Sequence, residues 1–152
     1  MLKIINLANK KSALKVLEET KNSKNCNYDI RIHNSHITEL NRVLGRKVFK
    51  KDALYINSGT LKEIMLPVGR SGKHHHQHGL SPIEIFSALS TIKDSNDVSI
   101  SYGNRYIIVT LATIYNGVNL VVIVEPNSAL LNHLNAKIIK IITIYPKNIS
   151  YK

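Results

Sequence analysis

Four histidines stand within five residues of one another, His74, His75, His76 and His78, in a glycine-rich tract from Gly69 to Gly79 that also holds Arg70 and Lys73. Imidazole changes its charge near neutrality, so it can take up or release a proton under ordinary conditions. Within the tract His78 is the favoured catalytic candidate: it directly precedes Gly79 and the helix-start signal Ser81-Pro82-Ile83-Glu84, which would hold it at a fixed place. The second chemical group is a pair of hydroxyls near the end of the chain. On a regular strand of period two, Ile139, Ile141, Thr143 and Tyr145 share one face, and Ile138, Lys140, Ile142 and Ile144 share the other. Thr143 and Tyr145 are then neighbours, and Lys140 is not their partner unless a bulge intervenes. Arg105, just after Gly103-Asn104, can offer a guanidinium to a phosphate if that end of the sheet forms the cleft.

A proton-transfer group, hydroxyls and cations are sufficient to cleave RNA. A general base removes the 2′-hydroxyl proton, cations stabilise charge developing at phosphorus, and a general acid protonates the leaving 5′-oxygen. No close carboxylate set of the kind that holds two metal ions occurs, nor a phosphate-cradling loop or dinucleotide fingerprint. Cys26, the single cysteine, lies in a lysine- and asparagine-rich stretch with no evident base beside it. The expected chemistry therefore uses neither metal, cofactor nor thiol. Plainer readings stand beside each feature. Thr and Tyr are ordinary strand residues, and the histidine tract can be an exposed loop or an adventitious Zn or Ni ligand. His33, His36 and His133 are isolated and read as structural or surface groups.

The elements that must position these groups fall into two halves. Leu7, Ala8, Leu14 and Leu17 share a stripe, which predicts an amphipathic helix over about Ile4 to Thr20, followed by a polar linker from Lys21 to Asn27. Tyr28 to His33 reads as a short strand and Ile37 to Val48 as a second helix, while the apolar piece Leu54 to Asn57 is of undetermined type. Thr60-Leu61-Lys62-Glu63 and Ser81-Pro82-Ile83-Glu84 both have the form of capping boxes. The second predicts a helix to about Lys93 with Ile83, Phe86, Leu89 and Ile92 toward the core. From Val98 the pattern turns to β: strands over Val98–Tyr102, Arg105–Tyr115, Val118–Glu125 and Lys137–Tyr145, with Asn116-Gly117 as a hairpin turn and Ser128–Leu134 as a short helix or loop. The expected fold is α+β, with N-terminal helices packed on a C-terminal four-stranded antiparallel meander. Residues 1–50 form a basic helical region, which can belong to the same domain, and residues 51–152 the α+β nuclease-like domain.

Composition agrees with a folded, polyanion-seeking chain. Of 152 residues 43% are hydrophobic, enough to build a core, and the formal charge is +11 with a pI near 9.8. The excess is uneven: +7 in residues 1–50, balanced in residues 51–100, and +4 thereafter. Such charge draws nucleic acid first, with an anionic membrane surface or an acidic inhibitor as other attractors, although lysine also serves plain solubility. The longest apolar run near the C-terminus, Leu120 to Val124, is too short to span a bilayer, and Met1 to Leu7 is too short for a signal peptide, so no membrane association is expected.

A tract ending His78-Gly79-Leu80-Ser81 that opens a helix, a meander after it, and a close on Ile141-Ile142-Thr143-Ile144-Tyr145-Pro146 resembles the barnase/EndoU/colicin/RelE-like (BECR) ribonuclease superfamily, in its phage- and polymorphic-toxin-associated members. The resemblance spans roughly Leu54 to Lys147. It implies helices on a four-stranded antiparallel sheet, metal-independent cleavage of RNA and a cognate immunity or antitoxin protein; tRNA or another structured RNA is the expected substrate and the cytoplasm the expected site of action, with delivery into a target cell or association with a phage as further readings. It places the catalytic histidine at His78, with His76 or His74 as substitute, a basic residue at Arg105, and the hydroxyl pair at Thr143 and Tyr145. Lys73 and Lys147 join Arg105 as substrate-binding candidates. The rivals are a non-catalytic module of a phage or mobile element that binds nucleic acid or protein, and a His-rich metal-binding domain.

Overall fold

The computed structural model describes residues 3–24, 27–33, 36–51, 53–67, 78–95, 97–101, 105–115, 118–130 and 133–146. Strands β1 (Lys3–Asn6), β2 (Asp29–His33), β3 (Leu54–Asn57), β4 (Asp97–Ser101), β5 (Tyr106–Tyr115), β6 (Val118–Leu130) and β7 (His133–Pro146) form one mixed sheet in the order β1-β2-β3-β7-β6-β5-β4. This corrects the expected architecture. The antiparallel strands β4 to β7 make up one side of the sheet only, and the N-terminal part of the chain contributes strands as well as helices. β1 runs parallel to β2, β2 antiparallel to β3, and β3 parallel to β7. The four-stranded sheet implied by the BECR resemblance is therefore overturned: its four antiparallel strands continue through β3 into a mixed sheet of seven.

Helices α1 (Lys10–Asn22), α2 (Leu40–Leu44), α3 (Ser58–Met65) and α4 (Pro82–Thr91) share one apolar cluster with the sheet, through residues such as Leu17, Leu40, Leu61 and Ile85 against Ile5, Ile30, Ile56, Val109, Val122 and Ile141. The stretch expected to be one helix from Ile4 to Thr20 is β1, a turn, and α1. Asn6 and Asn9 break it: Asn6 Oδ1 accepts from Ala8 N, and Asn9 Oδ1 caps α1 by accepting from Ser12 N at 3.1 Å. The helix expected over Ile37–Val48 is a 3-10 turn, Ile37–Glu39, followed by the single short α2, which Gly45 ends at φ +71°. The expected Thr60 cap is also displaced. Asn57 holds that role, accepting from Gly59 N and Thr60 N, so α3 begins two residues before Thr60. Ser128–Leu134 is not helix: β6 runs to Leu130 and β7 starts at His133. β6 admits Pro126 because the register breaks between Glu125 and Ser128, where no ladder donor is required.

The second capping box forms as the sequence reads it. Ser81 Oγ accepts from Glu84 N at 3.2 Å while Glu84 Oε1 accepts from Ser81 N at 3.1 Å, with Pro82 opening the helix. Its buried face is rotated from the expected one: Ile85, Ala88, Leu89 and Ile92 are buried, Phe86 packs at the margin, and Ile83 is exposed. Losing the Ser81 hydroxyl leaves a helix donor unsatisfied, at a cost of about 1 kcal/mol. Ser81→Ala should accordingly lower the melting temperature by about 2–4 °C in a thermal scan. An unchanged midpoint would show that the cap is dispensable.

The register of β7 decides where the chemistry faces. Thr143 pairs with Ile123 and Ile141 with Val124, so Ile142 is an extra residue, a β-bulge. Ile139, Ile141 and Ile144 enter the core under the helices, as do their neighbours Val122 and Val124. Thr143 and Tyr145, opposite Ile123 and Val121, stand on the other face. That corrects the expected sharing of one face by Ile139, Ile141, Thr143 and Tyr145, and it puts Lys140 on the face of the hydroxyls.

Candidate active site

β3 pairs with β7 only through Leu54–Ile56 and Ile139–Ile141, because Asn57 turns the chain into α3. Beyond Ile141, β6 is the strand neighbour of β7 among the described residues. His78 meets β7 in this stretch. The backbone fixes its place: Gly79 takes φ +65°, a conformation that suits glycine, and its N–H donates to Leu66 O at 2.7 Å at the end of α3. Leu80 N donates to Ile64 O at 3.1 Å, its side chain is buried, and the Ser81 cap follows at once. His78 is thus clamped between the end of α3 and the start of α4.

Three of the candidates come together there. His78 Nε2 lies 3.5 Å from Thr143 Oγ1, and the rings of His78 and Tyr145 are 5.9 Å apart at a tilt of 46°. His78 and Thr143 are buried, at 7% and 2% exposure, and Tyr145 is half-buried. The imidazole tautomer decides whether the threonine hydroxyl donates to Nε2 or Nε2–H donates to the hydroxyl. A separation of 3.5 Å is at the long end of hydrogen bonding, and catalytic contacts commonly tighten when substrate enters. The pair can pass a proton between an imidazole and a bound group while a hydroxyl orients that group.

Arg105 is not part of this convergence. Its Nε donates to Glu125 Oε2 at 3.1 Å and its guanidinium lies over the Tyr106 ring, with Cζ 5.1 Å from the centroid. The hydrogen bond to Glu125, aided by Tyr106, holds the guanidinium above its ordinary pKa. By strand register Arg105 sits roughly 10 Å along the strands and roughly 10 Å across them from Thr143. It therefore stands apart from the His78–Thr143 pair. Lys73, His74, His76 and Lys147 lie outside the described residues.

The sequence reading missed an ion pair on the same face. Lys140 Nζ is 3.3 Å from Asp29 Oδ1, with the two side chains 16% and 3% exposed. Lys140 stands opposite Glu125 on one side and Tyr55 on the other, and Tyr55 stands opposite Arg31. A row of polar groups therefore crosses the sheet beside Thr143. The available signal was the condition attached to Lys140, that a bulge would restore it. Among the described residues no three His, Cys, Asp or Glu side chains gather closely enough to hold a metal ion, and no helix is long and apolar enough to cross a membrane. No protein-family model, curated protein or solved structure matches this chain.

Proposed function

We propose that this protein is a metal-independent endoribonuclease of the toxin-like, BECR-related kind, cleaving tRNA or another RNA by 2′-hydroxyl transesterification. The observation that carries the reading is the approach of His78 Nε2 to Thr143 Oγ1, 3.5 Å, between two positions 65 residues apart. His78 is brought there by the end of α3, and Thr143 by its place opposite Ile123 in the ladder. The +11 charge supports a polyanionic partner, with residues 1–50 steering it: Lys10, Lys11, Lys15 and Lys21 all stand exposed along α1.

In the proposed reaction the 2′-oxygen loses its proton to a base and forms a bond to phosphorus, while the bond to the 5′-oxygen breaks and that oxygen takes a proton from an acid. A 2′,3′-cyclic phosphate and a 5′-hydroxyl result. His78 performs one of the two proton transfers, and Thr143 with Tyr145 donates hydrogen bonds to the phosphate oxygens. The cell that hosts such an enzyme needs a cognate inhibitor, and the reaction takes place in the cytoplasm.

Incubating the purified protein with total tRNA in excess EDTA tests the reading. Discrete fragments ending in cyclic phosphate are expected. RNA that is bound but stays intact would instead make the protein a non-catalytic binding module, and cleavage that stops with chelator would assign the chemistry to a metal.

A further inference from the structure

The segment from Arg42 to Lys51 gathers cations that nothing in its own sequence offsets. Between Glu39 and Asp52 stand Arg42, Arg46, Lys47, Lys50 and Lys51, and no acid. All five are exposed, and no described acidic side chain pairs with any of them. α1 differs, since its exposed lysines share the helix with Glu18 and Glu19, which are exposed as well.

The segment is also firmly shaped. Gly45 ends α2, and the Asn41 side chain gathers the backbone that follows. Its Oδ1 accepts from Val48 N at 2.8 Å and from Phe49 N at 2.7 Å, and its Nδ2 donates to Phe49 O at 2.8 Å. Phe49, 2% exposed, is anchored in the common core. The backbone that carries Arg46, Lys47 and Lys50 is thereby fixed, with like charges held near one another. That repulsion is relieved when an anion binds, and fixing the loop beforehand lowers the entropy lost in binding.

What the segment lacks identifies the kind of partner. Its apolar residues Val43, Leu44 and Val48 are half-buried and Phe49 is buried. A protein interface has an apolar or aromatic core, and a membrane-bound segment needs apolar side chains to insert. Charge without either suits the phosphates of a nucleic-acid backbone, which arginine and lysine contact without reading bases. The place is remote from the candidate active site. α2 packs against β4, the edge strand three places from β7, so roughly 14 Å of sheet separates β4 from the strand that His78 meets.

We propose that the Arg42–Lys51 segment is a nucleic-acid-binding surface, which holds backbone phosphates at a distance from the scissile one. That the bound strand is also the substrate rests on the ribonuclease reading; the binding does not.

The test uses the full chain and an oligothymidylate, which carries the phosphates but no 2′-hydroxyl, with affinity measured in EDTA across a salt series. Each phosphate contact contributes about 0.7 to the slope of log affinity against log salt for single strands. The triple variant Arg46→Gln, Lys47→Gln, Lys50→Gln should keep the melting temperature and make the slope shallower by about 2, the worth of three contacts. Taking the same charge from α1, with Lys10→Gln, Lys11→Gln and Lys15→Gln, should change the slope by less than half as much. In tRNA cleavage the loop variant should lower kcat/KM about tenfold, through KM. Equal losses from the two triples would mean that only net charge matters and would overturn the assignment. So would an unchanged slope in the folded loop variant, or failure of the wild-type protein to bind the oligonucleotide. Capture of the wild-type protein by phosphatidylserine vesicles in place of the oligonucleotide would give the segment to a membrane surface and overturn it too. The two readings fail separately. Binding with a shallower slope in the variant and no cleavage of tRNA ends the nuclease reading and keeps the segment, and cleavage with an unchanged slope does the reverse.

Discussion

Replacing His78 with alanine should lower the rate of tRNA cleavage in EDTA by about 10²- to 10⁴-fold, the range by which a positioned acid or base accelerates a reaction. The histidine is 7% exposed and sits 3.5 Å from Thr143 Oγ1, so its loss also removes a polar contact and opens some space. The effect on folding should stay modest, because the backbone on either side is fixed independently. Gly79 N and Leu80 N bond to Leu66 O and Ile64 O whatever side chain stands at 78. A readout that separates chemistry from packing is rescue: free imidazole in the buffer should restore part of the rate to His78→Ala and none to a variant that is merely unfolded. A variant cleaving at the wild-type rate takes His78 out of the reaction.

The parts of the fold that were legible are those encoded by neighbours in sequence. β5 and β6 adjoin through the two positions Asn116 and Gly117, which lie outside the described residues, and Tyr115 pairs with Val118 as a tight hairpin requires. The Ser81 cap is likewise a matter of four consecutive residues. The parts that were missed depend on distant pairing. β1 is four residues long and finds its partner, β2, only across α1, so no turn signal announces it. Its Ile4 and Ile5 run straight into the apolar stripe of α1, and a helical period absorbs them. β3 is equally short and lies between β2 and β7, the latter more than 80 positions later in the chain. Patterning cannot reveal such neighbours, because burial on both edges demands only the apolar run that Leu54-Tyr55-Ile56 supplies. For α4, Ile83 and Ile85 are equally apolar, and only the packing against α1 and β5 decides that Ile85 is buried while Ile83 is exposed.

The candidate site divides in the same way. His78 was legible because a glycine and a capping box fix the residue ahead of them, and Thr143 with Tyr145 because two positions apart on one strand means one face, bulge or no bulge. The position of that face relative to Lys140 was not legible. Ile141 and Ile142 are chemically identical, and nothing in their type says that one of them is the extra residue. Nor could residue type reveal that Arg105 has an acid, Glu125, at 3.1 Å on the adjacent strand. An arginine beside a turn reads as free until the register brings a carboxylate to it.

The hydroxyl of Thr143 is the group on which the local arrangement turns, and Thr143→Val isolates it. Valine keeps the β-branched shape opposite Ile123 and the fit of a side chain that is 2% exposed, but has no oxygen for His78 or a phosphate. Loss of one donor aimed at developing charge is worth about 10²-fold or more in rate. The same substitution should alter the melting temperature little, since the hydrogen bond contributes about 1 kcal/mol and valine suits a strand at least as well. Thr143→Ser, which restores the hydroxyl on a smaller side chain, should recover most of the activity. If the two groups act on one phosphate as a unit, their effects will not multiply: His78→Ala with Thr143→Val should cleave no more slowly than His78→Ala alone, to within a few-fold. Full multiplication would mean that the 3.5 Å approach is a packing contact between residues acting separately, and an unimpaired Thr143→Val would remove the threonine from the reaction altogether.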